Sequence, residues 1–217
     1  MPEPLVSSTV RDIRISNHPL LRRDLTILRD ADTPSHEFRR VLRRVASLLA
    51  FEASGDLAVR DITVRTPLEA TAGHILSHPI VLVPVLRAGL GMLDPFLDVL
   101  PEAAVGHVGL YRNEATLEPV EYYGRYPNEL AERVVLVLDP MLATGGSADA
   151  AVTLLKRRGA SRIRLVCIVA APQGVERMRM AHPDVPIYAA ALDRGLNERG
   201  YIIPGLGDAG DRQFGTD

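Results

Sequence analysis

Cysteine is almost missing from this chain, Cys167 being the single one. An intrachain disulfide framework and a thiol-ligated zinc cluster are therefore excluded. Cys167 lies in the apolar run Leu165-Val166-Cys167-Ile168-Val169 and reads as a buried, inert thiol rather than a nucleophile. Long hydrophobic runs are missing too: the longest extend over roughly seven or eight residues, against the about 20 needed to cross a bilayer. Met1 to Ile15 lacks a charged start followed by a sustained apolar stretch. No signal peptide and no membrane association are expected, and the cytoplasm is the simplest location. An excess of charge of either sign is also lacking, since 25 Lys+Arg face 27 Asp+Glu for a net −2. That excludes the basic footprint of a dedicated nucleic-acid binder, so no nucleic acid is expected as a partner. Internal repeats and low-complexity tracts are absent.

What is present is ordinary for a globular protein with a real core: 217 residues, 47% hydrophobic and 24% charged. That length predicts one domain over 1–217. It divides into a helical N-terminal segment of about 1–60, a sheet core of about 79–192 and a tail of about 193–217. Thr33-Pro34 reads as a cap followed by proline at the first helical position. Phe38, Val41, Leu42, Val45, Leu48 and Leu49 then line one helical face, and Gly55 is the stop. Arg39, Arg40, Arg43 and Arg44 on the other face read as a solvated surface. His18 before Pro19 reads as part of a turn.

From Pro79 onward apolar runs recur at Ile80–Leu86, Ala104–Tyr111, Val134–Leu138, Ile163–Ala170 and Ile187–Leu192. Continuous rather than alternating hydrophobicity predicts strands covered on both faces, as in a parallel sheet. Helical stretches are predicted between them at Gly91–Val99, Ser147–Arg158 and Gly174–His182. The alternation makes the fold class α/β, a five-stranded parallel sheet flanked by helices with right-handed crossovers. The polar, aromatic stretch Arg112–Pro127 reads as a protruding hairpin or flap. The tail from Asp193 to Asp217 is glycine-rich, has no helical period and reads as a functional loop.

The chemistry is concentrated in Val134–Ser147. A buried strand ends in Asp139, followed by Pro140, Met141, Leu142, Ala143, Thr144, Gly145, Gly146 and Ser147, and then by a helix. Small residues let the backbone close around a ligand, and amide groups at a helix start converge on an anion. The dipole contributes only about 0.3–1 kcal/mol, too little for a phosphate. Several charge-assisted bonds at roughly 1.5–3 kcal/mol each suffice. The hydroxyls of Thr144 and Ser147 add donors, and the Asp139 carboxylate can accept from sugar hydroxyls. This is not a Walker A loop, because no Gly-Lys-Ser/Thr follows. Two dinucleotide-like strings also fail. The one at Gly89 has Asp94 where the third glycine should stand, and the one at Gly205 leaves no room for a crossover helix and second strand. Arg87, Arg112 and Asp139 each come at a strand end, so a parallel sheet gathers them at one carboxyl edge. Two guanidinium groups facing Thr-Gly-Gly-Ser describe a site for a ligand with several phosphates.

These residues resemble a known family. Leu138–Ser147 looks like the phosphoribosyl-pyrophosphate motif of type I phosphoribosyltransferases. The likeness narrows to the uracil phosphoribosyltransferase family through Val83–Met92, Tyr111–Glu114, Thr116–Val120, Asp139–Ser147, Gly195–Glu198, Tyr201–Asp211 and Phe214–Thr216. Pro140 stands where the wider superfamily has a second acid, which leaves Asp139 alone for the ribose. The resemblance implies the type I fold, with a hood built from N- and C-terminal segments. It implies transfer of ribose 5-phosphate from phosphoribosyl pyrophosphate to uracil, giving UMP and diphosphate with Mg2+. Thr144 to Ser147 would hold the 5-phosphate, Asp139 the ribose, and Arg87 and Arg112 the pyrophosphate. Ile202, Gly207, Asp208 and Ala209 would hold uracil, with Asp208 also near the donor or its metal. A homodimer or homotetramer is implied, and a GTP effector for some members. Two alternatives stay open: the same chemistry on another base, and a non-catalytic regulator that senses the donor. His74 and His78 read as structural or surface residues, and Asp94 as a cap or ion-pair partner. Tyr122 and Tyr123 face either a subunit neighbour or the closed flap.

Overall fold

The structure is a computed structural model describing residues 13–112 and 119–216, without the side chains of 110–112 and 119–121. The chain opens with strand β1 (Ile13–Ile15), then helices α1 (Pro19–Arg29) and α2 (Ser35–Ser54). His18 is more than a turn residue: its ring accepts from the Leu20 N–H at 3.2 Å and caps α1, with Pro19 at the first position. The α2 cap is displaced by one residue from expectation. Pro34 is the N-cap without a side-chain bond, while the Thr33 hydroxyl donates to the Ile27 carbonyl at 2.7 Å. The predicted apolar face of α2 is buried except for partly buried Leu48, and Gly55 ends the helix.

The arginine face of α2 is not simply solvated. Arg44 pairs with buried Asp24 of α1 at 3.0 Å, Arg43 with Asp94 at 3.0 Å, and Arg39 donates to the Gln213 carbonyl at 2.6 Å. Arg43 and Arg44 thus ion-pair with acids, and Arg39 bonds a tail carbonyl, that the sequence pattern does not bring near α2.

A hairpin follows, β2 (Val59–Arg65) and β3 (Ala70–Leu76), paired antiparallel to each other and largely exposed. Then comes the core: β4 (Ile80–Leu86), α3 (Leu90–Val99), β5 (Ala104–Val105), β6 (His107–Arg112), β7 (Pro119–Arg125), β8 (Val134–Leu138), β9 (Met141–Leu142), α4 (Gly146–Arg157), β10 (Arg162–Ala170), α5 (Pro172–Ala181) and β11 (Ile187–Leu192). All five predicted strands lie in one sheet of order β1-β11-β10-β8-β4-β6-β7. Every pairing along that path is parallel except β6 with β7. The sheet is wider than expected, because β1 and β7 extend its edges. The predicted second strand is split at Gly106 into β5 and β6. The Arg112–Pro127 stretch is a hairpin arm whose return limb is β7, while 113–118 lie outside the described residues.

The continuous apolar runs do what a two-faced strand requires. In β8, Leu136 and Leu138 join the layer under α1, α2 and α3, whereas Val135 and Val137 join the layer under α4 and α5. Truncating such a side chain, as in Leu136→Ala, costs about 2–5 kcal/mol. Among the described residues no helix is long and apolar enough to cross a membrane.

The tail is not the loop its composition suggests. It forms a small antiparallel ribbon, β12 (Gly195–Leu196) with β13 (Ile202–Ile203), and a helix α6 (Ala209–Phe214). Six residues are too few to show a helical period. Asp208 caps α6 by accepting from the Asp211 N–H at 3.0 Å, and Gly215 closes it at φ +69°.

Candidate active site

Because β4, β6, β8, β10 and β11 run parallel, their carboxyl ends share one edge of the sheet. The segment after β8 is fastened there before it turns. The Asp139 N–H donates to Val166 O at 3.1 Å, and the Pro140 carbonyl accepts from Ile168 N at 3.0 Å and Val169 N at 3.1 Å. Met141 and Leu142 pair with Val169 and Ala170, and Leu142 O accepts from Ala171 N at 2.9 Å. The loop therefore leaves the sheet only at Ala143. Gly145 adopts φ +79° as the N-cap of α4, so glycine is required there and Ser147 already lies inside the helix. A Cβ on Gly174 would come within 2.5 Å of Ala143 O, so the first turn of α5 backs the loop closely. One turn on, Arg177 holds Asp149 of α4 at 2.9 Å, while the Asp149 Oδ1 lies 3.0 Å from His182 Nε2. This clasp joins α4 to α5 behind the loop.

Arg87 follows β4 directly, after a cis Leu86–Arg87 peptide, and its side chain is exposed. The turn behind it is pressed onto the end of β8: a Cβ on Gly89 would lie 2.3 Å from Leu138 O and 2.7 Å from Val85 N. No side chain larger than hydrogen fits without moving backbone. Arg112 closes β6 at the same sheet edge, and its side chain lies outside the described residues.

The tail reaches this edge. The Gln213 amide donates to Ala88 O at 2.8 Å, and the Arg87 guanidinium pairs with Asp211 at 3.2 Å and stacks over Phe214 at 5.9 Å. Gly200 lies against Thr144, where a Cβ would sit 3.7 Å from its methyl. Ile202 and Ala209 are buried, whereas Gly207 and Asp208 are exposed. The turn after β4, the loop after β8 and the tail thus meet at one sheet edge, the tail reaching Arg87 through Asp211 and Phe214 and Thr144 through Gly200. Asp211 and Phe214 lie in tail segments that carry the family likeness without having been assigned a role, while Gln213, Arg177 and Arg29, which also bond here, stand outside every motif singled out.

Asp139 has an unusual environment. Burial pushes its carboxyl up to about 6, opposed by the Met141 N–H that donates to it at 3.2 Å. Burial, with the nearby Asp139 charge, raises the Cys167 thiol far above neutrality, so Cys167 is inert. His74 lies on the exposed hairpin beside Asp61 at 2.9 Å. Among the described residues no cluster of three or more His, Cys, Asp or Glu forms a metal cage.

A mostly parallel sheet flanked by helices, with a strand–loop–helix turn after its central strand, is the architecture of the type I phosphoribosyltransferase class. A hypoxanthine phosphoribosyltransferase from Trypanosoma cruzi shares the fold at TM-score 0.50 and 12% identity, covering 73% of this chain and 75% of that one. A solved protein from Aquifex aeolicus superposes at TM-score 0.88 with 39% identity, covering 93% of this chain and 97% of that one. The uracil phosphoribosyltransferase family profile matches residues 15–216. A uracil phosphoribosyltransferase from Halalkalibacterium halodurans is 55% identical over 205 residues, 94% of this chain and 98% of that protein. The chain belongs to the uracil phosphoribosyltransferase family.

Proposed function

We propose that the protein is a pentosyltransferase that moves ribose 5-phosphate from phosphoribosyl pyrophosphate to uracil, giving UMP and diphosphate in pyrimidine salvage. The observation that carries the reading is the meeting of the Asp139–Ser147 loop, Arg87 and the uracil-type tail at one sheet edge, in a chain of this family.

Each residue type suits its part. Amides and hydroxyls of Thr144–Ser147 receive the 5-phosphate at the start of α4. Asp139, ionised, accepts from the ribose hydroxyls. Arg87 and Arg112 would hold the leaving pyrophosphate, whose charge grows as the anomeric carbon becomes cationic. Fixed cations there favour the transition state over the bound donor. Ile202 and Gly207–Ala209 present main-chain N–H and C=O groups to uracil. A base with a different pattern leaves buried groups unpaired, which discriminates strongly. The hairpin arm from Arg112 would close over the site and exclude water that would otherwise hydrolyse the donor.

Mg2+ fits this donor set. A hard cation that keeps its waters and sits on substrate phosphates needs only one or two carboxylates, and the exposed Asp208 uses just one oxygen to cap α6. Asp208 would hold it, and the ion would supply charge neutralisation on the pyrophosphate. A cytoplasmic location, a homodimeric or homotetrameric assembly and a GTP effector belong to the same reading and rest on family likeness.

The test is diphosphate release measured with each base in turn. Release that requires uracil supports the reading. Equal or faster turnover with hypoxanthine or guanine would move it to another base, and no release with any base would leave a donor-sensing regulator.

A further inference from the structure

The tail assigned to uracil consists of two contact stretches, Ile202 and Gly207–Ala209, with Gly205 between them. Gly205 is buried and left-handed at φ +62°, and a Cβ there would lie 2.1 Å from Ile202 O. The chain doubles back so tightly at this point that the two stretches share one pivot.

That pivot is gripped on both of its polar groups. Arg29, the last residue of α1, donates to Asp193 through Nη1 at 2.8 Å and Nη2 at 2.6 Å. Arg29 Nη1 also donates to Gly205 O at 2.8 Å, and Gly205 N donates to Asp193 Oδ2 at 2.9 Å. Asp193 is itself anchored to the sheet, its N–H donating to Ala170 O at 2.8 Å. The acid is almost wholly buried and the arginine three-quarters so. Next along the tail, Arg212 donates to Leu206 O at 3.0 Å and to Leu28 O, and stacks on Phe38 at 4.5 Å. The end of α1 is thus a splint for the tail. Among the described residues, neither Arg29 nor Asp193 bonds the Asp139–Ser147 loop.

We propose that the bidentate Arg29–Asp193 pair is a positioning device for base recognition: by holding the N–H and C=O of Gly205, it sets the angle between the two stretches that grip uracil. The proposal rests on the reading of the tail given above. Its physical basis is directional. Uracil has little apolar surface, so its recognition depends on hydrogen bonds, which weaken steeply when misaligned. A pivot bound on one side only can rotate, and both stretches rotate with it. A bidentate guanidinium holds orientation as well as position, which a lysine does not.

The experiment is steady-state kinetics of UMP formation with uracil and donor varied separately, for wild type, Arg29→Ala, Arg29→Lys and Asp193→Asn. Arg29→Ala and Asp193→Asn should raise the KM for uracil at least about tenfold while the donor KM stays within about twofold, and Arg29→Lys should recover part of the loss. A folded variant with an unchanged uracil KM, or with both KM values rising together, overturns the proposal. Wild type that makes no UMP would instead refute the functional reading. Should the variants not fold, amide exchange on the wild-type protein decides. The Gly205 N–H should exchange far more slowly than those of exposed Gly207 and Asp208, and equally fast exchange overturns the pivot.

Discussion

Arg87 Nη2 stands 3.2 Å from Asp211 Oδ1, an ion pair that ties the turn after β4 to the helix at the end of the tail. The Asp211 oxygen also accepts from the Thr216 hydroxyl at 2.7 Å, and the Arg87 guanidinium lies over Phe214. A residue assigned to the pyrophosphate is thus held by the segment assigned to the base. The proposed donor and base segments are thus linked through side chains as well as through the sheet edge.

Arg87→Ala should lower kcat/KM for the donor by about a hundredfold, because it removes charge-assisted bonds to the leaving group at roughly 1.5–3 kcal/mol each. Asp211→Asn should change it by less than about fivefold, since the pair is solvent-accessible on the arginine side and such pairs contribute little. Initial rates at varied donor concentration check both. Comparable losses in the two variants would show that Arg87 acts through Asp211 rather than on the donor.

Asp208 has two duties that substitution can separate. Asp208→Ala removes the α6 cap and should cost about 1 kcal/mol of stability. Asp208→Asn keeps a cap-competent oxygen and should melt near wild type. Both should lose far more than about tenfold in kcat/KM if the charge serves donor or metal. Thermal melts beside kinetics decide, and an active Asp208→Asn would remove the charge from the mechanism.

Asp139 should give donor binding a pH dependence. Its native pKa of about 6 lies above the ordinary carboxylate value, so the neutral form is favoured in the folded protein. Its stabilising contribution is complete at acid pH and is lost as pH rises through about 6. Ribose hydroxyls need the ionised form, so donor affinity should fall as pH drops through the same value. A donor phosphate also titrates near about 6, so Asp139→Asn is the reference. Asp139→Asn should be the more stable protein above neutrality, and its donor KM should lose part of the acid-side rise. Identical pH profiles for the two proteins would contradict this.

Gly89→Ala should lose activity through geometry rather than chemistry. Its methyl group would meet backbone atoms of Leu138 and Val85, which cannot rotate away. A stability loss of about 1–3 kcal/mol and a raised donor KM are expected, because the turn that carries Arg87 must move. Denaturant melts and donor kinetics test it.

Much of the core was legible residue by residue. Runs such as Val134–Leu138 are apolar at every position because both faces of the strand are covered, and that composition needs no knowledge of the partners. Strand ends then place Arg87, Arg112 and Asp139 on one edge. The β2–β3 hairpin was not legible, because Val59–Arg65 buries neither face and shows no apolar pattern. Helix α6 was hidden by its shortness, and the arginines of α2 looked solvated because Asp24, Asp94 and the tail are distant in sequence.

By itself the sequence determined the five core strands and the carboxyl edge at which Arg87, Arg112 and Asp139 follow them, since hydrophobic period and strand order act over a few neighbouring positions. Only the tertiary structure decided which cations are occupied and what steadies the tail. Arg29 meets Asp193 across 164 positions, and Arg87 meets Asp211 across 124. Such pairs leave no local trace, because a charged side chain looks the same in sequence whether water or a buried partner satisfies it.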